Sequence, residues 1–155
     1  MNGSKLNDYV PDAESQSEKT ITIAHVDEPH DLYGGRAAGG TRHMNNASTP
    51  TKRGWLGNPY RVDDHGRDGC IEKFREDFYA KLWDDWRFCN ACIGLPGRVV
   101  ACYCRSMDED EPACHLDVVQ EALLEGHVFR IALNVHDIKI PEWMEEASCA
   151  PEDLL

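Results

Sequence analysis

The sequence predicts an α/β fold, with a small, mainly parallel sheet and flanking helices. Three observations lead there. Residues 20–26 (TITIAHV) alternate β-branched and other residues, as a strand does. Residues 98–103 (RVVACY) are apolar on both faces, as in a central strand covered on both sides. Amphipathic helical stretches follow each strand, so the order strand, loop, helix, strand, loop, helix argues for packed layers with parallel pairing. A chain of 155 residues holds one domain with a real core.

Residues 1–18 are polar with little to bury and read as a disordered tail. After the first strand, residues 31–36 (DLYGGR) form a short extended piece ending in glycines. Residues 37–58 form a long loop, either a binding element or a flexible insertion. A helix is expected over residues 68–88, because Ile71, Phe74, Phe78 and Leu82 recur every three or four positions. Glu72, Glu76 and Asp77 lie largely off that stripe, and Trp83 and Trp86 read as further core. Gly94, Pro96 and Gly97 break the chain before strand 98–103. A charged loop over 104–113 leads to a helix opened by Cys114 or His115, with Leu116, Val119, Ala122 and Leu123 facing the core. Asp117 suits its first turn and Gly126 its end. The domain spans residues 19–126. Residues 127–155 read as an extension, HVFRIALNV as an edge strand and PEWMEEA as a short helix.

Twenty-eight acidic against 16 basic residues give a net charge of -12. Such a field repels a phosphate backbone, so bulk nucleic-acid binding is not expected, whereas a local basic patch still suits a nucleotide. Acidic excess with few lysines fits a halophilic protein, and equally an ordinary acidic cytosolic or viral one. No apolar run approaches the roughly 20 residues of a membrane helix. The N-terminal stretch lacks the apolar core of a secretory signal. A cytoplasmic location is expected, in the host cytoplasm for a viral protein. In a reducing compartment, seven cysteines read as buried apolar residues, metal ligands or reactive thiols rather than disulfides.

Cys102 and Cys104 are two apart at a strand end, so their side chains share a face. Cys114 and His115 stand at a helix start, where partial positive charge favours a thiolate. Ligands of parallel sheets bind beyond such carboxyl ends. Three chemistries fit. Cys102, Cys104, Cys114 and His115 are candidate zinc ligands, with Cys89 and Cys92 completing a C-x2-C-x9-C-x-C variant. Cys104 or Cys114 is otherwise a nucleophile or redox thiol beside His115 as base. The plain alternative is buried apolar thiols. Asp117 is placed to orient His115 or to accept a ligand hydroxyl.

Residues 36–53 contain Arg36, Arg42, Lys52 and Arg53 and no acidic residue. The flanking Gly34-Gly35-Arg36 and Gly54-Trp55-Leu56-Gly57-Asn58-Pro59 elements let backbone N–H groups approach an anion. The phosphate-binding patterns G-x-x-x-x-G-K and G-x-G-x-x-G are both absent. A phosphate or carboxylate ligand is expected here, held by Arg36 and the Gly57-Asn58 turn.

Taken in order, DLYGGR, RGWLGNPY, the amphipathic helix, LPGRVVACYC and CHLDVV resemble domain-of-unknown-function family 4326 over about residues 21–125. The matching positions are Tyr33, Gly35 and Arg36; Gly57, Asn58 and Pro59; Arg67; Cys102, Tyr103 and Cys104; and Cys114, His115, Asp117 and Val118. The chain departs in its longer acidic segment MDEDEP and in Leu116, where the family usually has glycine. The Cys-x-Cys and Cys-His close is also similar to an uncharacterised α/β family numbered 488. The resemblance implies a Rossmann-like fold and one pocket formed by the motif residues, including Tyr33 and Arg67. It carries no established activity.

The expected function is binding of a nucleotide-like or other phosphorylated small molecule, with Cys104, Cys114 and His115 doing chemistry or holding a metal such as zinc. The alternative is a non-enzymatic, zinc-stabilised interaction or accessory module of a virus or mobile element.

Overall fold

The computed structural model describes residues 19–47, 49–104 and 113–139. The expected N-terminal tail, most of the acidic loop and the PEWMEEA helix lie outside these residues. Three strands, β1 (Thr22–His25), β2 (Leu32–Tyr33) and β3 (Val99–Cys102), form a sheet of order β1-β3-β2. Both pairings are parallel, with Ile23 opposite Val100 and Tyr33 opposite Ala101. The strand that is apolar on both faces is the central one, and Val100, Ala101 and Cys102 are all buried. Helices α1 (Val62–His65), α2 (Arg67–Asp84) and α3 (Trp86–Ile93) lie between β2 and β3 in the chain. Helices α4 (Leu116–Leu124) and α5 (His127–Asn134) follow β3. The fold is thus a small α/β domain. No described helix is long and apolar enough to cross a membrane.

Two expectations about secondary structure need correction. The helix expected over 68–88 is two helices. Asp85 adopts an extended conformation (φ −123°, ψ 101°), and its carboxylate accepts the N–H groups of Arg87 and Phe88. This is an N-cap, which satisfies donors that would otherwise be orphaned. Trp86, just past the cap, is 55% exposed and so is not core. The segment expected as an edge strand is α5 instead. Phe129, Ile131, Leu133 and Val135 alternate like a strand, but Val128, Ile131, Ala132 and Val135 also recur at helical spacing. The helical pattern prevails because Gly126 (φ 81°) turns the chain back after α4, and α5 packs against α3, α4 and α2.

The core is aromatic. Phe74 stacks on Phe78 at 5.8 Å, and Phe88 meets both Phe78 and Trp55 edge-on at 5.7 Å. Trp55, Leu56 and Met44 come from the long loop and are buried. The loop is therefore pinned to the core by roughly the energy of several buried large side chains, about 1.5–3 kcal/mol each. That anchorage lets it form one wall of a site.

Candidate functional site

The carboxyl ends of β2 and β3 open on the same side of the sheet. β3 ends at Cys102, and in the bend that follows the Cys104 N–H donates to Cys102 Sγ at 3.4 Å. Cys114 begins the next helical run. Its sulfur accepts the N–H of Leu116 at 3.4 Å, and the Asp117 carboxylate accepts the N–H of Cys114 at 3.0 Å. This is the reciprocal arrangement of a capping box, with a thiol in the place of serine. Asp117 thus fixes Cys114. The Cys102 and Cys114 sulfurs lie 3.2 Å apart. The sulfurs of Cys102, Cys104 and Cys114 all lie within 4.8 Å of one another and could hold a metal ion.

His115 is buried, with its ring edge-on to Phe74 at 4.9 Å. Its Nε2 lies 2.8 Å from the carbonyl oxygen of Gly34. A carbonyl only accepts, so Nε2 carries the proton. Nδ1 then faces the sulfurs, 3.8 Å from Cys114 Sγ. The Cys104 thiol is held well below the usual range, because the Cys102 and Cys114 thiols and His115 all stabilise its thiolate. Cys114 is pushed far up by the same neighbouring sulfurs and by burial. Cys102 is raised, chiefly through its contact with Cys104.

Cys89 and Cys92 take no part in this. They lie in the core on α3, outside the sulfur group. Burial pushes the Cys89 thiol up to about 12 and raises Cys92 well above the ordinary value. The C-x2-C-x9-C-x-C variant is therefore not formed, because those two sulfurs serve as small apolar side chains.

The glycine-rich arm is shaped by close packing. A side chain at Gly34 would strike Val100 and Leu116, so Leu116 fills the space that Gly34 leaves. A Cβ at Gly57 would fall 2.8 Å from Arg36 Cα and 2.9 Å from the Gly35 carbonyl oxygen, so these two turns touch backbone to backbone. Arg36 Nη1 donates to the carbonyl oxygens of Asn58 at 2.9 Å and Tyr60 at 3.5 Å. The Asn58 amide donates to the Cys70 carbonyl oxygen and accepts the Tyr60 N–H. Asn58 is therefore a brace between the loop and α2. Tyr33 donates its hydroxyl to the Arg36 carbonyl oxygen at 2.7 Å, and the Arg53 guanidinium lies 4.2 Å from the Tyr33 ring centre. Burial raises the Tyr33 pKa, as does Tyr103, against the opposing pull of Arg53 and Arg36. Arg67 Nη1 donates to the Ala113 carbonyl oxygen at 2.9 Å, joining α2 to the chain just before Cys114.

These groups surround one cavity of about 480 Å³. Its wall includes Tyr33, Gly35, Arg36, Asn58 and Arg67 from the arm and α2, and Cys102, Cys104 and His115 from the thiol side. Gly57, Cys114 and Asp117 stand behind the wall. Arg53, Tyr60, Cys70 and Tyr103 also line it. Of these, Arg53 carried a prior signal in the acid-free basic stretch, Tyr60 and Tyr103 in the family motifs, and Cys70 none. Tyr103 lies between the two strand-end cysteines, so alternation would have pointed it to the other side; it is 68% exposed and stands at the cavity rim. Three arginines and no carboxylate line the cavity among the described residues.

A family model described as Domain of unknown function (DUF4326) matches residues 19–125, and the chain belongs to that family. No curated protein and no solved structure matches.

Proposed function

We propose that this member of the domain-of-unknown-function family 4326 binds a small phosphorylated, nucleotide-like molecule in the arginine-lined cavity. One observation carries the reading: a chain of net charge -12 gathers Arg36, Arg53 and Arg67 around one hollow with no acidic side chain in its described wall. Grouping like charges costs energy unless an anion joins them. The volume, about 480 Å³, falls within the roughly 300–1,000 Å³ of small-molecule sites. In this reading the guanidinium groups hold the anion. The rings of Tyr33, Tyr60 and Tyr103 offer flat surfaces for a base or sugar. Cys104 and His115 face the bound molecule as nucleophile and base, or the Cys102, Cys104 and Cys114 sulfurs hold a metal ion beside it.

Thermal denaturation with millimolar AMP, ADP, pyrophosphate or a sugar phosphate tests the reading. A ligand at about ten times its Kd stabilises by roughly 1.4 kcal/mol, or a Tm rise of about 3–6 °C for a chain of this size. Arg53→Gln should reduce that shift while leaving the unliganded Tm nearly unchanged, because Arg53 is exposed and lies over the face of the Tyr33 ring. A flat response to all four compounds contradicts the proposal.

A further inference from the structure

Cys89 and Cys92, three residues apart on α3, lie buried among the apolar side chains of the core. Cys102, Cys104 and Cys114 bring three sulfurs from two chain segments within 4.8 Å, and two of those sulfurs each accept a backbone N–H. N–H groups aimed at sulfur stabilise negative charge on it. The His115 ring, its Nε2 held 2.8 Å from the Gly34 carbonyl oxygen, turns Nδ1 towards the same place, 3.8 Å from Cys114 Sγ.

We propose that Cys102, Cys104 and Cys114 hold one Zn2+ ion as thiolates, with a fourth coordination position that opens on the cavity beside His115. Size and donor type decide the metal. With Zn–S bonds of about 2.3 Å, tetrahedral thiolates stand roughly 3.8 Å apart, a separation compatible with sulfurs that all lie within 4.8 Å of one another. An iron–sulfur cluster distributes its cysteines over separate iron atoms and needs a wider spread. Magnesium and calcium require oxygen ligands, and no carboxylate lines the described wall. The fourth position follows from placement: Cys102, Cys104 and His115 all line the cavity, so an ion among the sulfurs faces it. The position takes water, or a phosphate oxygen of the bound molecule. This last point rests on the proposed anion binding; the zinc ion does not.

Elemental analysis of the full chain, purified without chelator, should find one zinc per molecule, and Cys104→Ser should lower that occupancy at least tenfold with the fold retained by circular dichroism. Cobalt(II) exchanged into the site should give thiolate-to-metal charge-transfer and tetrahedral d–d bands. Phosphate should shift the d–d bands, and His115→Ala should keep the metal. Metal-free folded protein that also takes up no cobalt overturns the site. A cobalt spectrum indifferent to phosphate, in protein that phosphate still stabilises, overturns the open position and leaves the anion site standing. Loss of zinc in a folded His115→Ala protein overturns the open position as well, since the imidazole would then be the fourth ligand.

Discussion

Truncation of Phe74 to alanine should destabilise the protein by about 3–5 kcal/mol, a Tm fall of roughly 6–20 °C. Phe74 is fully buried on α2, stacks on Phe78 and meets the His115 ring edge-on. Its removal leaves a cavity where the helix layer supports the site, and that lining relaxes only in part. The effect should therefore be double. Urea melts followed by circular dichroism read the stability loss. The more conservative Phe74→Leu should keep most of the stability yet loosen the imidazole, so its response to phosphate ligands should fall by more than its Tm does. A Phe74→Ala protein within about 1 kcal/mol of the parent would mean that the aromatic cluster is not the core.

Gly57→Ala should cost about 1–3 kcal/mol and abolish the ligand response. The added methyl meets Arg36 Cα, Arg36 N and the Gly35 carbonyl oxygen, all at under 3 Å and all backbone. Backbone atoms cannot rotate away as a long side chain can, so the two turns must separate. The turn that moves carries Arg36 and its hold on the Asn58 and Tyr60 carbonyls. Gly97→Ala is the control. Gly97 has φ 85°, lies away from the cavity and has nothing within 4 Å of an added Cβ. It should cost roughly 1–2 kcal/mol through left-handed strain alone and leave ligand binding intact. Equal ligand responses in the two variants would separate the glycine turn from the site.

How much of this could be read from the residues differs by element. Val99, Val100 and Ala101 announced a central strand because apolarity on both faces has few other uses. The two-residue spacing of Cys102 and Cys104 implied a shared face, and the helix start at Cys114 was visible in Asp117. Legibility failed where two patterns coexisted or where a contact was long-range. Residues 128–135 satisfy both the strand and the helical period, and only packing against α2, α3 and α4 decides between them. Asp85 sits inside an amphipathic run and ends it through its own carboxylate, a local competition that periodicity does not register. Asn58 looked like an anion ligand because it follows a glycine, yet its amide is committed to backbone groups of Cys70 and Tyr60. Cys70 joined the cavity wall with no prior mark, because nothing local relates it to the strand ends across the sheet.

The central physical claim is that the arginine-bearing glycine turns and the strand-end thiols bound one hollow. Hydrogen–deuterium exchange with and without saturating pyrophosphate tests it most directly. The account predicts slowed exchange in two separate peptides at once, one within residues 33–60 and one covering the start of α4. Protection confined to one of them, or to neither while pyrophosphate still raises the Tm, would place the anion elsewhere and contradict the account.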